Sequence, residues 1–98
     1  MTEIEKVQYR RDEIYIAEHY GLTDQLGQTK EELRELIEAI EDYEKCPSID
    51  SAAAIFEETA DVENMTYQIK YLMRSEDAVE GIKRYKVDRQ LGRIAKEE

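Results

Sequence analysis

Apolar residues recur along the chain at spacings of three and four, and no stretch alternates with the period of two that marks a half-buried strand. The pattern predicts an all-α fold of four helices. The first covers residues 2–18, with Ile4, Val7, Ile14 and Ala17 on one rough face and Thr2 and Glu5 at capping-box spacing. Tyr20-Gly21-Leu22 reads as a break. The second helix starts at Thr23 or Asp24 and runs to Lys45, where Pro47 stops it. The third follows Asp50 or Ser51, either one a fair N-cap, and reaches Arg74. Ser75 can cap a fourth, which extends toward the C-terminus. The expected architecture is a bundle-forming domain whose second and third helices are antiparallel and joined around Pro47.

Within the second helix, Leu26, Thr29, Leu33, Leu36, Ile40 and Tyr43 read as a packed seam, flanked by a polar line of Gln25, Gln28, Glu32 and Glu35. A solvated face explains the two glutamines. It explains the glutamates less well, because they border the core. In the third helix Ile55, Glu58, Val62, Met65, Ile69 and Leu72 form a seam in which Glu58 alone is polar. An ionised carboxylate in a seam is costly unless something pairs with it, and the local sequence offers no cation. Asp61 follows one turn later, and Glu57, Asn64 and Gln68 extend its flank. Either acidic pair alone is ordinarily a solvated surface. Two pairs on neighbouring antiparallel helices, one of them entering a seam, instead suggest a metal ion that neutralises Glu58 with oxygens from Glu32, Glu35 and Asp61.

Composition agrees with that chemistry. The 98 residues are enough for one domain over positions 1–98, and a small core would gain from packing against a second copy. A formal net charge of −10, with 39% charged residues, is a poor field for a nucleic acid polymer or an anionic membrane. It suits hard divalent cations. Cys46 is the only cysteine, so neither an internal disulfide nor a Cys-rich zinc site is available. No apolar run resembles a signal peptide or a membrane span, and a cytoplasmic setting is expected. Positive charge gathers in the last helix, where Lys86, Arg89 and Arg93 form one stripe that suits either phosphate groups or acidic neighbours on another helix. His19 stands alone, without the Glu-x-x-His of a di-iron bundle.

The stretch Glu31-Glu32-Leu33-Arg34-Glu35-Leu36-Ile37-Glu38-Ala39-Ile40, followed by Glu57-Glu58-Thr59-Ala60-Asp61-Val62-Glu63-Asn64-Met65, resembles the MazG family of all-α nucleoside triphosphate pyrophosphohydrolases. Glu32 and Glu35 match the family's ExxE, and Glu58 and Asp61 match its ExxD. His19-Tyr20-Gly21 and Gln25 resemble the usual approach to the first acidic helix. The likeness covers residues 18–73 well and the last helix loosely. It implies that the four carboxylates bind Mg²⁺, with Mn²⁺ as an alternative, and that a nucleoside triphosphate is cleaved to the monophosphate and pyrophosphate. Glu35 is the candidate for activating water; Gln25, Asn64, Lys86, Arg89 and Arg93 are candidates for holding substrate. A homodimer or homotetramer is expected. The rival readings are a non-catalytic nucleotide-binding regulator and a helical interaction protein whose acidic faces merely keep it soluble.

Overall fold

Thr2 opens the first helix as its spacing to Glu5 predicts. Its hydroxyl accepts from the Glu5 amide, and the Glu5 carboxylate accepts from the Thr2 amide. The computed structural model describes residues 1–97, which form α1 (Glu3–Lys45), α2 (Ile49–Leu72) and α3 (Glu76–Glu97), with no strand among them. Three helices thus stand where four were expected. The break at Tyr20-Gly21-Leu22 is confined to Gly21, whose φ of 84° and ψ of 169° are the non-helical values inside α1.

That one residue nevertheless folds the helix back on itself. A straight helix of 43 residues would be about 64 Å long, yet the longest dimension of the molecule is 46 Å. Contacts with α2 give the directions of the two arms. Tyr9 meets Asn64, Arg10 lies over Tyr67 and Glu18 accepts from Tyr71, so the arm of residues 3–20 runs parallel to α2. Gln25 meets Gln68, and Glu32 meets Glu58 and Asp61, so the arm of residues 22–45 runs antiparallel.

Pro47 separates α1 from α2 by keeping Cys46 out of the helical conformation, at φ −147° and ψ 82°. The start of α2 is earlier than the sequence suggests. Ser48, rather than Asp50 or Ser51, is the N-cap, and it exchanges reciprocal hydrogen bonds with Ser51. Arg74, at φ 53°, closes α2 in the left-handed conformation, with its amide on the Tyr71 carbonyl and the Ser75 amide on the Lys70 carbonyl.

α3 does not complete a bundle. It makes no packing contact with α1 and meets α2 through Glu76 on Tyr67 and Glu80 on Lys70. All of its described residues except Val79 are exposed. The radius of gyration is accordingly 16.6 Å, where a closed domain of this length has about 13 Å. No helix among the described residues is long and apolar enough to cross a membrane.

The buried residues are Ala17, Ala39 and Met65 together with the polar Glu13, Gln25, Thr29 and Gln68. This revises the seam of the second arm. Gln25, Thr29 and Ala39 are the side chains buried there, with Glu32 and Leu36 half-buried between them, while Leu26, Leu33, Ile37 and Ile40 remain exposed. From the polar line Gln25 and Glu32 face α2, whereas Leu26, Leu33 and Ile40 of the expected seam face outward.

Candidate metal centre

Helical spacing places Gln25, Glu32 and Ala39 on the α2 side of the second arm, seven residues apart. On α2, Glu58, Asp61, Met65 and Gln68 follow the opposing face. The two helices therefore bring Glu32, Glu58 and Asp61 together, each able to offer an oxygen within 4.8 Å of the others. Glu32 and Glu58 are half-buried, and Asp61 is exposed at the rim. Glu35 stands outside that trio and is exposed, yet close enough to Glu58 to feel its charge.

No ion pair among the described residues reaches any of the four carboxylates. Gln28 donates to Glu32 at 2.9 Å, but the other oxygen of Glu32 and one oxygen of Glu58 are buried without any partner. Burial, and then the charges of Asp61 and Glu35, push the Glu32 carboxyl above its ordinary range. Glu58 rises for the same first reason, reinforced by Asp61 and Glu32. Glu35 is raised chiefly by the charge on Glu58. Carboxylates that repel one another and carry orphaned oxygens fit a hard divalent cation, which prefers oxygen ligands and retains several waters.

The remaining candidates divide. Gln25 is buried beside the centre and donates to Gln68 at 2.6 Å. Both line an open pocket of about 730 Å³ that adjoins the carboxylates through Glu32. Asn64 turns instead toward the first arm, where its side-chain amide meets the Tyr9 hydroxyl. Lys86, Arg89 and Arg93 lie exposed on α3, and no bond or ion pair among the described residues ties them to the carboxylates. Arg89 instead rests 5.9 Å from the ring centre of Tyr85.

A second polar cluster had no counterpart among the expected site residues. Glu13, 4% exposed, accepts from Tyr9 at 2.9 Å and pairs with Arg10 at 3.3 Å, and the Arg10 guanidinium lies 3.5 Å from the ring centre of Tyr67. Burial raises the Glu13 carboxyl, against the pull of Tyr9, Arg10 and Lys70. A lone acid beside Ile14 carries no periodic signal that would have marked it. Gln68 did leave one, two turns beyond Asp61 on the same flank.

No protein-family model, curated protein or solved structure matches this chain.

Proposed function

We propose that the chain is a Mg²⁺-dependent nucleotide pyrophosphohydrolase that cleaves a nucleoside triphosphate to the monophosphate and pyrophosphate. One observation carries the reading: Glu32 and Glu58 each bury an unpartnered oxygen in a carboxylate cluster that no ion pair among the described residues reaches. A merely solvated acidic face buries no such oxygens. The likeness of both acidic pairs to the MazG family supports the reaction type.

In this reading Glu32, Glu58 and Asp61 hold the ion, which supplies Lewis acidity toward the phosphate oxygens. Glu35, exposed and outside the trio, orients the attacking water and takes its proton. The site offers no Ser, Cys or His nucleophile, so the water attacks phosphorus directly and no covalent enzyme intermediate forms. Cleavage at the α-phosphorus puts the new oxygen on the monophosphate.

We also propose a homodimer or homotetramer. Leu26, Leu33, Ile37 and Ile40 on α1, with Val87, Leu91 and Ile94 on α3, are uncovered within one chain. A second copy is the covering surface available to every molecule.

The test of the reaction is a nucleotide panel with Mg²⁺ in ¹⁸O-labelled water. The expected products are labelled monophosphate and unlabelled pyrophosphate. Orthophosphate as the first product, or no turnover of any nucleotide, removes the proposal; binding without turnover leaves the regulator reading in its place.

A further inference from the structure

Resting on the nucleotide reading above, we infer that the open pocket beside Glu32 holds the nucleobase, whose edge is read by the Gln25–Gln68 amide couple. Charge decides which part of a nucleotide the pocket can accept. Its lining includes Asp24, Glu31 and Glu32 and contains no Lys, Arg or His. A phosphate entering that field is repelled, whereas an uncharged, hydrogen-bonding group is not. The phosphates therefore point past Glu32 toward the carboxylates, and the uncharged end of the molecule occupies the pocket.

The amide couple gives that end something to bind. Gln25 and Gln68 are 5% and 4% exposed, and their side chains share a single hydrogen bond, from Gln25 Nε2 to Gln68 Oε1. Gln25 Oε1 and Gln68 Nε2 have no partner among the described residues, although both side chains line the pocket. The couple thus keeps one acceptor and one donor for a ligand. That arrangement complements the edge of a base that presents a donor next to an acceptor. Tyr20, which also lines the pocket and is 56% exposed, supplies an aromatic face for stacking.

The experiment measures binding rather than turnover, using inorganic tripolyphosphate and α,β-methylene nucleoside triphosphates of each base, all with Mg²⁺. Wild type should bind at least one analogue roughly tenfold more tightly than tripolyphosphate. Gln25→Leu and Gln68→Leu should reduce that preference to about threefold or less while tripolyphosphate affinity stays unchanged. Tyr20→Leu, at an exposed position the fold does not need, should also weaken the analogues and spare tripolyphosphate, so the test survives if a glutamine variant fails to fold. Equal affinity of wild type for tripolyphosphate and every analogue overturns the base pocket while the phosphate site stands. Glutamine variants that fold but keep the full base preference reduce the couple to a helix clamp. Wild type that binds neither class of probe overturns the nucleotide reading itself.

Discussion

On the first arm of α1, Glu13 is buried against α2 with a tyrosine hydroxyl and an arginine already on its carboxylate. On the second arm, Glu32 is pressed against the same helix and meets two further acids, with Gln28 as its only donor. Burial raises both carboxyls, so desolvation does not separate them. What differs is whether the chain supplies the compensation. An acid whose partners are built in holds helices together. An acid left with orphaned oxygens is one the described residues do not compensate. The contrast also explains why net charge was a weak guide: the surplus of −10 is spread over the surface, whereas the informative acids are the few that enter the α1–α2 seam.

The sharpest way to break this contrast is through turnover. Glu35→Gln and Asp61→Asn should each lower pyrophosphate release by about a hundredfold or more, as loss of a general base or a ligand does. Glu13→Gln, on the other arm, should leave it within about threefold. Comparable losses in all three variants would erase the distinction between the arms.

Stability should move in opposite directions at the two sites. Arg10→Ala leaves Glu13 buried without its cation and strips the face of Tyr67. Because Arg10 is half exposed, the expected loss is about 1–2 kcal/mol in chemical denaturation, below the figure for a fully buried pair. Glu58→Gln, measured in EDTA, should raise the melting temperature, since it removes a charge that the empty cluster repels.

Mg²⁺ should reverse that second sign. Millimolar Mg²⁺ is expected to raise the wild-type melting temperature by about 5 °C. The rise should shrink sharply in Glu58→Gln and Asp61→Asn and persist in Glu38→Gln, which lies outside the cluster. A uniform response across the variants would mean that the ion acts by general screening of an acidic surface.

The smallest effect is on pH. Glu32, Glu35 and Glu58 have folded-state pKa values above their unfolded ones. The folded state therefore binds more protons than the unfolded state once pH passes the ordinary carboxylate range. The stability these groups contribute is complete below that range and declines as pH rises through their folded values. In EDTA the melting temperature should fall between about pH 4.5 and neutrality, and less steeply in Glu58→Gln.

The sequence exposed the carboxylates because each pair repeats at helical spacing and Glu58 interrupts an apolar seam. Helix ends were legible where a side chain marks them, as at Thr2 and Pro47, although Ser48 captured a cap assigned to Asp50 or Ser51. The facing of the second arm was misread for a physical reason. Periodicity identifies the most apolar stripe, but not what covers it. Here Gln25 and Glu32 turn toward α2 beside Thr29 and Leu36, and Leu26 and Leu33 turn outward. Nor does spacing along α3 reveal that its basic stripe is carried away from the carboxylates of its own chain. Glu13 and its partners were silent because they join two segments more than fifty residues apart in the chain.

Gly21 has a consequence for how this sequence can drift. A methyl group added to its α-carbon would meet nothing within 4 Å, so by volume the position is open to any residue. Its torsions say otherwise: φ 84° with ψ 169° lies in a region essentially reserved for glycine, beyond even the left-handed basin that asparagine tolerates. A mutational scan should therefore find intolerance at an uncrowded position. The substitutions should act at a distance, by swinging one arm of α1 off α2 and parting Tyr9 from Asn64, while every residue of the carboxylate cluster stays chemically unchanged.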